Sequence, residues 1–215
     1  GSTVGVTGDL RRDLRNRVYD LDEYLQVQWD PAAKWRVLAG LRHSIVDVRS
    51  IDQLAAPGVA AQSGVRYQAT NPVAGLTYRA TPGVAIFAAF GRGFETPTLN
   101  DIAYRSVDGS VPGLNLDLRP ARSNNYELGL KTTGLRAALD LSVYHIDTRD
   151  ELAVLQNSGG RSVFQNIAAT TRRGLELGAH TSFNSSWNGR LAYTWMRAVV
   201  AEPYQTCTAV PCLQA

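Results

Sequence analysis

From Tyr126 to Lys131 the chain reads Tyr-Glu-Leu-Gly-Leu-Lys, with Tyr126, Leu128 and Leu130 on one parity and Glu127, Gly129 and Lys131 on the other. A two-residue period with one greasy side and one charged side marks a β-strand whose two faces meet different surroundings. The pattern recurs along the chain. Leu25, Val27 and Trp29 alternate with Tyr24, Gln26 and Gln28, and Val37, Ala39 and Leu41 with Arg36, Gly40 and Arg42. Val84, Ile86, Ala88 and Phe90 oppose Ala85, Ala89 and Gly91, and Leu139, Leu141 and Val143 oppose Asp140, Ser142 and Tyr144. Strands are expected at about 17–30, 34–48, 66–80, 83–92, 119–132, 134–148, 168–184 and 188–199.

Tight turns rich in Pro, Gly and Asn fall near residues 32, 82, 133 and 186, and every connection between them is long. The longest, residues 92–119, exceeds the usual loop of a compact domain and points to function. Another runs from about 148 to 168 and carries a ribbon signal at Ser158-Gly-Gly160. Alternating short and long connections put all tight turns at one end of the strands and all long loops at the other, the asymmetry of outer-membrane barrels. Trp29 and Trp35 bracket the first turn, and indole rings favour the water boundary of a bilayer.

The 215 residues are 44% hydrophobic, yet no run of 18 apolar residues exists. That removes a transmembrane helix and leaves strands, which dilute hydrophobicity at every second residue. The formal charge of +3 comes almost wholly from scattered arginines mixed with acids, since Lys34 and Lys131 are the only lysines; solvated loop charge explains this better than a nucleic-acid surface. The polar parity includes Arg42, Arg79, Glu127, Lys131, Asp140, Arg172, Glu176 and His180. Arginine or lysine facing lipid near midplane costs about 2–4 kcal/mol, so this set faces a wet or protein-filled interior.

Catalytic and metal readings fail. Gly91-Arg-Gly93 lacks the third glycine and the helix start of a dinucleotide fingerprint. His43, His145 and His180 have no metal-ligand spacing, and no Ser, Cys and His arrangement nominates a nucleophile. Asp147-Thr-Arg-Asp-Glu151 reads as a solvated loop base before a cation site, and Asn184-Ser-Ser186 as turn chemistry before a glycosylation acceptor. No enzyme activity, cofactor, metal or nucleic-acid partner is expected. Cys207 and Cys212 are close enough in sequence to pair as a loop disulfide, or to remain free thiols. The competing architecture is a soluble β-rich binding or adhesion module, a sandwich or a propeller. A propeller blade needs four short strands per fifty-residue repeat, whereas two long ones are present.

The runs GRGFETPTLNDIAYR, PARSNNYELGLK and VFQNIAATTRRGLELG resemble, in order, the barrel of TonB-dependent outer-membrane receptors, over roughly Val18 to Ala198. The resemblance implies an all-β antiparallel transmembrane barrel in the bacterial outer membrane, taking up a scarce ligand such as an iron-siderophore complex or cobalamin. Expected partners are outer-membrane lipid, the small ligand, and TonB acting through a plug segment that these 215 residues do not include. About eight strands with no terminal aromatic strand read as an excerpt of a larger plugged barrel, because an unclosed sheet would expose backbone to lipid. Within the loops, Phe94, Tyr104, Arg105 and Arg149 are the candidate contacts for an anionic aromatic ligand.

Overall fold

In the computed structural model the described residues are 13–54, 61–106, 113–134, 136–158 and 160–207. They form eight strands: β1 Leu14–Ala32, β2 Trp35–Asp52, β3 Gln62–Thr81, β4 Val84–Glu95, β5 Ala121–Thr133, β6 Ala137–Ser158, β7 Arg161–Ser182 and β8 Asn188–Val200. All pair antiparallel with their sequence neighbours in one meandering sheet, which is not closed on itself.

The register turns the alternation of single strands into two continuous faces. Trp29, Val37, Leu76, Ala88, Leu128, Val143, Leu175 and Trp195 are successive partners across the whole sheet, one apolar row on one side. One residue along, the row Gln28, Leu38, Gly75, Ala89, Glu127, Tyr144, Gly174 and Met196 faces the other way. We call the first face outer and the second inner. The outer face is uncovered: Leu128 is 54% exposed and Trp195 52%, and among the described residues no element packs over them. Exposed apolar surface on this scale is foreign to a soluble monomer. Trp35 and Tyr78, register partners whose rings lie 4.7 Å apart, close the tight-turn end of this face. On this face Glu23 and His43 are register partners, and His43 Nδ1 lies 2.9 Å from Thr70 Oγ1, while arginines with Asp47, His145 and Asp147 occupy the same parity toward the long loops.

The chain departs from the sequence expectation between 148 and 168. In place of a loop, β6 and β7 continue as one long hairpin, with Ser158 paired to Arg161 and Gly160 at the tip with φ +75°. Polar residues such as Asp147, Thr148 and Glu151 made this stretch look like a loop base. They lie inside the strand, satisfied across the ladder: Thr171 donates to Asp147 at 3.0 Å, and Arg172 and Thr170 both donate to Glu151. At Asp150 the backbone turns to φ +57°, a local kink within an otherwise regular ladder. Above Gly91, β4 no longer pairs with β3, so a gap opens beside the long loop.

Candidate functional site

The buried core lies on the inner face at the long-loop end, not in the middle of the sheet. The segment between β4 and β5 folds back over the strands and delivers Ile102, fully buried, with Leu114 and Leu118 onto Val48 of β2 and Tyr67 of β3. Leu152 of β6 and Phe164 of β7 pack against the same cluster from the extended hairpin. That hairpin is therefore the far wall of the loop's seat.

Local sequence explains how the loop enters. In Thr98-Leu-Asn-Asp101 the Thr98 backbone N–H and hydroxyl both donate to Asp101 Oδ2 at 2.8 Å, and the Ile102 N–H donates to Thr98 O at 3.2 Å. This side-chain-closed turn aims Ile102 inward. The Asn115 N–H donates to Ile102 O at 2.8 Å, and Asn115 Nδ2 donates to Phe164 O at 3.2 Å. The exit is fastened by Tyr67, whose hydroxyl donates to Leu118 O at 3.1 Å, and by Asn166. The Asn166 amide accepts from the Arg119 N–H at 2.8 Å and donates to Arg119 O at 2.8 Å and Asp150 O at 2.7 Å. Arg119 in turn pairs with Asp150 at 2.6 Å. A kink, a loop end and a strand meet on one asparagine.

Beside the seated loop is a cleft of about 720 Å³, lined by Leu14 and Asn16 of β1, Leu99, Asn100 and Tyr104 of the loop, and Phe164 of β7. A second groove, about 440 Å³, follows the inner face lower down past Asp20, Asp22, Arg42, Asn71 and Phe94. There Arg42 Nε donates to Asp22 Oδ1 at 2.9 Å and Ser44 donates to the same carboxylate. The arrangement offers aromatic and polar contacts around open space near the mouth.

The four residues singled out from sequence are not one cluster. Tyr104 lines the upper cleft, with the Arg161 guanidinium 5.4 Å from its ring centroid. Arg105, on the same loop, pairs with Asp117 at 2.6 Å. Phe94 lies in the gap between β3 and β4, packed partly on the core cluster, with Arg122 6.0 Å from its ring centroid. Arg149 is the register partner of Arg122 and shares the parity of Val143, the outer face. Cys207 is joined to the β6–β7 hairpin by an N–H bond to Leu155 O at 2.7 Å, while Cys212 lies outside the described residues. Asn166 and Tyr67 went unnoticed from sequence because a strand asparagine or tyrosine shows nothing of a partner fifty residues away.

The family described as "TonB dependent receptor-like, beta-barrel" matches residues 1–209. Among solved structures, the siderophore receptor PiuA from Acinetobacter baumannii superposes with a TM-score of 0.72 at 17% identity, over 94% of this chain and 28% of that one. The alcaligin outer membrane receptor FauA from Bordetella pertussis gives 0.64 at 20% identity, over 90% and 32%. The copper transporter OprC gives 0.70 at 20%, over 85% and 30%. At these identities the likeness concerns the fold, and the chain spans about a third of the length of the receptors it matches. With the meander, the two-faced register and the family match together, this chain belongs to the TonB-dependent receptor-like β-barrel family.

Proposed function

We propose that this chain forms wall and outer mouth of a receptor in the bacterial outer membrane that takes up a scarce ligand, an iron-siderophore complex in the first instance, with energy from TonB acting through a plug. Family membership and the siderophore receptors among the structural neighbours support this reading. The observation that carries it for this chain is the loop seated on the inner face, whose Tyr104 lines a cleft large enough for a small chelate, with Arg105 the next residue along. Tyr104 offers a ring face to an aromatic chelator, and Arg105 a guanidinium to its anionic oxygens. The role of the apolar outer face is contact with lipid. The disulfide proposed for Cys207 and Cys212 would close a short loop after β8, beside the point where the Cys207 N–H holds that segment to Leu155 O of the hairpin.

The test is growth of a deletion strain on single iron chelates, on cobalamin and on copper. Loss confined to one iron chelate, restored by the wild-type gene and not by a Tyr104→Ala, Arg105→Gln variant, is the expected result. Unchanged uptake of every candidate would defeat the transport reading.

A further inference from the structure

The strands β3 and β4 separate above Val73 and Gly91, their last register partners toward the loops. β3 runs on beside β2 to Gln62, and β4 beside β5 to Glu95, so two strand edges face each other unpaired. The groove of about 440 Å³ runs into this seam, with Asn71, Pro72 and Val73 on one lip and Arg92, Gly93, Phe94 and Thr96 on the other. Gly91 stands seven residues above Val84, about 16 Å in height on a strand tilted by about 45°. The seam therefore opens inside a hydrocarbon layer of about 30 Å, where unpaired backbone persists only against water or protein.

Local sequence and the loop both act on the seam. The Arg79 N–H donates to Lys34 O at 2.7 Å, on the β2 side, so by alternation the even-numbered residues of β3 turn their backbone groups toward β4. Pro72 is one of them and has no N–H, so one of the two bonds it would exchange with Arg92 cannot form. Past that point pairing is open again: the same register sets Thr70 opposite Phe94 and Gln68 opposite Thr96. Phe94 has the parity of Ala88 and Phe90, the outer face, so a closed seam would turn its ring toward lipid. Here the ring packs instead against the cluster under the loop, Pro97 is buried, and Thr98 starts the turn that aims Ile102 inward. Arg122 spans the seam in this state, donating to Gln68 O at 3.2 Å with its guanidinium 6.0 Å from the Phe94 ring centroid. The stretch from Phe94 to Pro97 cannot serve the seat and the ladder at once.

We propose that the β3–β4 seam is a two-state switch coupled to the loop. A seated loop holds the seam open, and a loop that leaves its seat lets β4 close onto β3 through the Thr70–Phe94 and Gln68–Thr96 pairs. The new ladder bonds offset part of what the loop loses on withdrawing, so the switch has two satisfied ends. Closing the seam also shuts the groove through the wall as the mouth opens, so mouth and wall are never open together. The depth of the seam rests on the membrane reading above; the switch depends on no particular ligand.

The test is a cysteine pair, Ala69→Cys with Glu95→Cys, directly opposed in the closed register and unpaired in the open seam, in the full-length receptor in its native membrane. Linking under mild oxidation with copper phenanthroline is read by mass spectrometry of the joined peptides. The pair should link about tenfold more when Ile102→Asp has released the loop. The control pair Gly75→Cys with Ala89→Cys, already register partners, should link equally in both backgrounds. Equal linking of the 69 and 95 pair in both would overturn the coupling, and none in either would overturn the closed state. Should Ile102→Asp fail to reach the membrane, the reverse reading decides. With Ile102 retained, the linked 69 and 95 pair should make the 96–120 loop several times more sensitive to protease than the reduced pair does, and equal cleavage would overturn the switch. Neither readout requires uptake, so the growth test stands apart. A receptor recovered outside the outer-membrane fraction would instead overturn the membrane reading itself.

Discussion

Phe87 lies across Gly129, its register partner, and Tyr144 lies across Gly174 in the same way; a Cβ on either glycine would collide with the ring. The glycines are spaces cut for aromatic rings on the inner face, where Lys131 Nζ sits 5.4 Å from the Phe87 ring centroid. Gly129→Ala is expected to destabilise by about 1–3 kcal/mol, and by less in a Phe87→Ala background, where only the Leu141 carbonyl, 2.9 Å from the new Cβ, still crowds it. Urea unfolding of the four proteins in lipid measures the cycle. Asn166 tests the other kind of inner-face residue. Asn166→Ala removes three hydrogen bonds that tie Arg119 and Asp150 together, and should raise protease cleavage of the 96–120 loop severalfold while the global unfolding midpoint moves little. At this scale sequence was only half informative. The charge parity of Glu127, Lys131 and Asp140 was readable because alternation is local. The pairing of ring to glycine was not, because it depends on a cross-strand register that no single strand specifies.

The decisive element is the loop between β4 and β5, and its seat is an element in its own right. Ile102 is the one side chain among the described residues of the loop with no exposure, held between β2, β3 and the β6–β7 hairpin. Ile102→Asp would bury an unpaired carboxylate, and the loop should leave the inner face instead of accepting it. A maleimide-reactive cysteine at Leu118, buried in the wild type, should then label rapidly, while unchanged protection would mean that the seat survives the charge. The loop's existence was legible from its length and its Gly, Pro and Asn content. Its direction was not, since folding inward needs Val48, Tyr67 and Phe164 from three other strands. The hairpin's tip was legible at Ser158-Gly-Gly160, but its continuity with the flanking strands was not, for a related reason. Polar residues in the middle of a strand look like a loop until the ladder supplies Arg172 and Thr171 as their partners.

For the whole molecule, one face carries the argument. The row from Trp29 through Leu128 to Trp195 is apolar at every strand and lies bare in this sheet, while the charged parity turns toward the seated loop. Eight antiparallel strands and their two-sidedness were available from sequence alone, because the signal repeats and each repeat constrains the next. Leu128→Arg should cost about 2–4 kcal/mol in lipid and Glu127→Arg close to nothing, although the two are neighbours. The most direct measurement is spin-label accessibility along β5, one label at each position from Asn125 to Lys131 in the receptor in its membrane. Oxygen collision should peak with a period of two at Leu128 and Leu130, and a water-soluble nickel chelate should peak at Glu127 and Lys131. Labels at Leu128 and Leu130 shielded from both reagents would mean that protein, not hydrocarbon, covers that face, and would contradict the account.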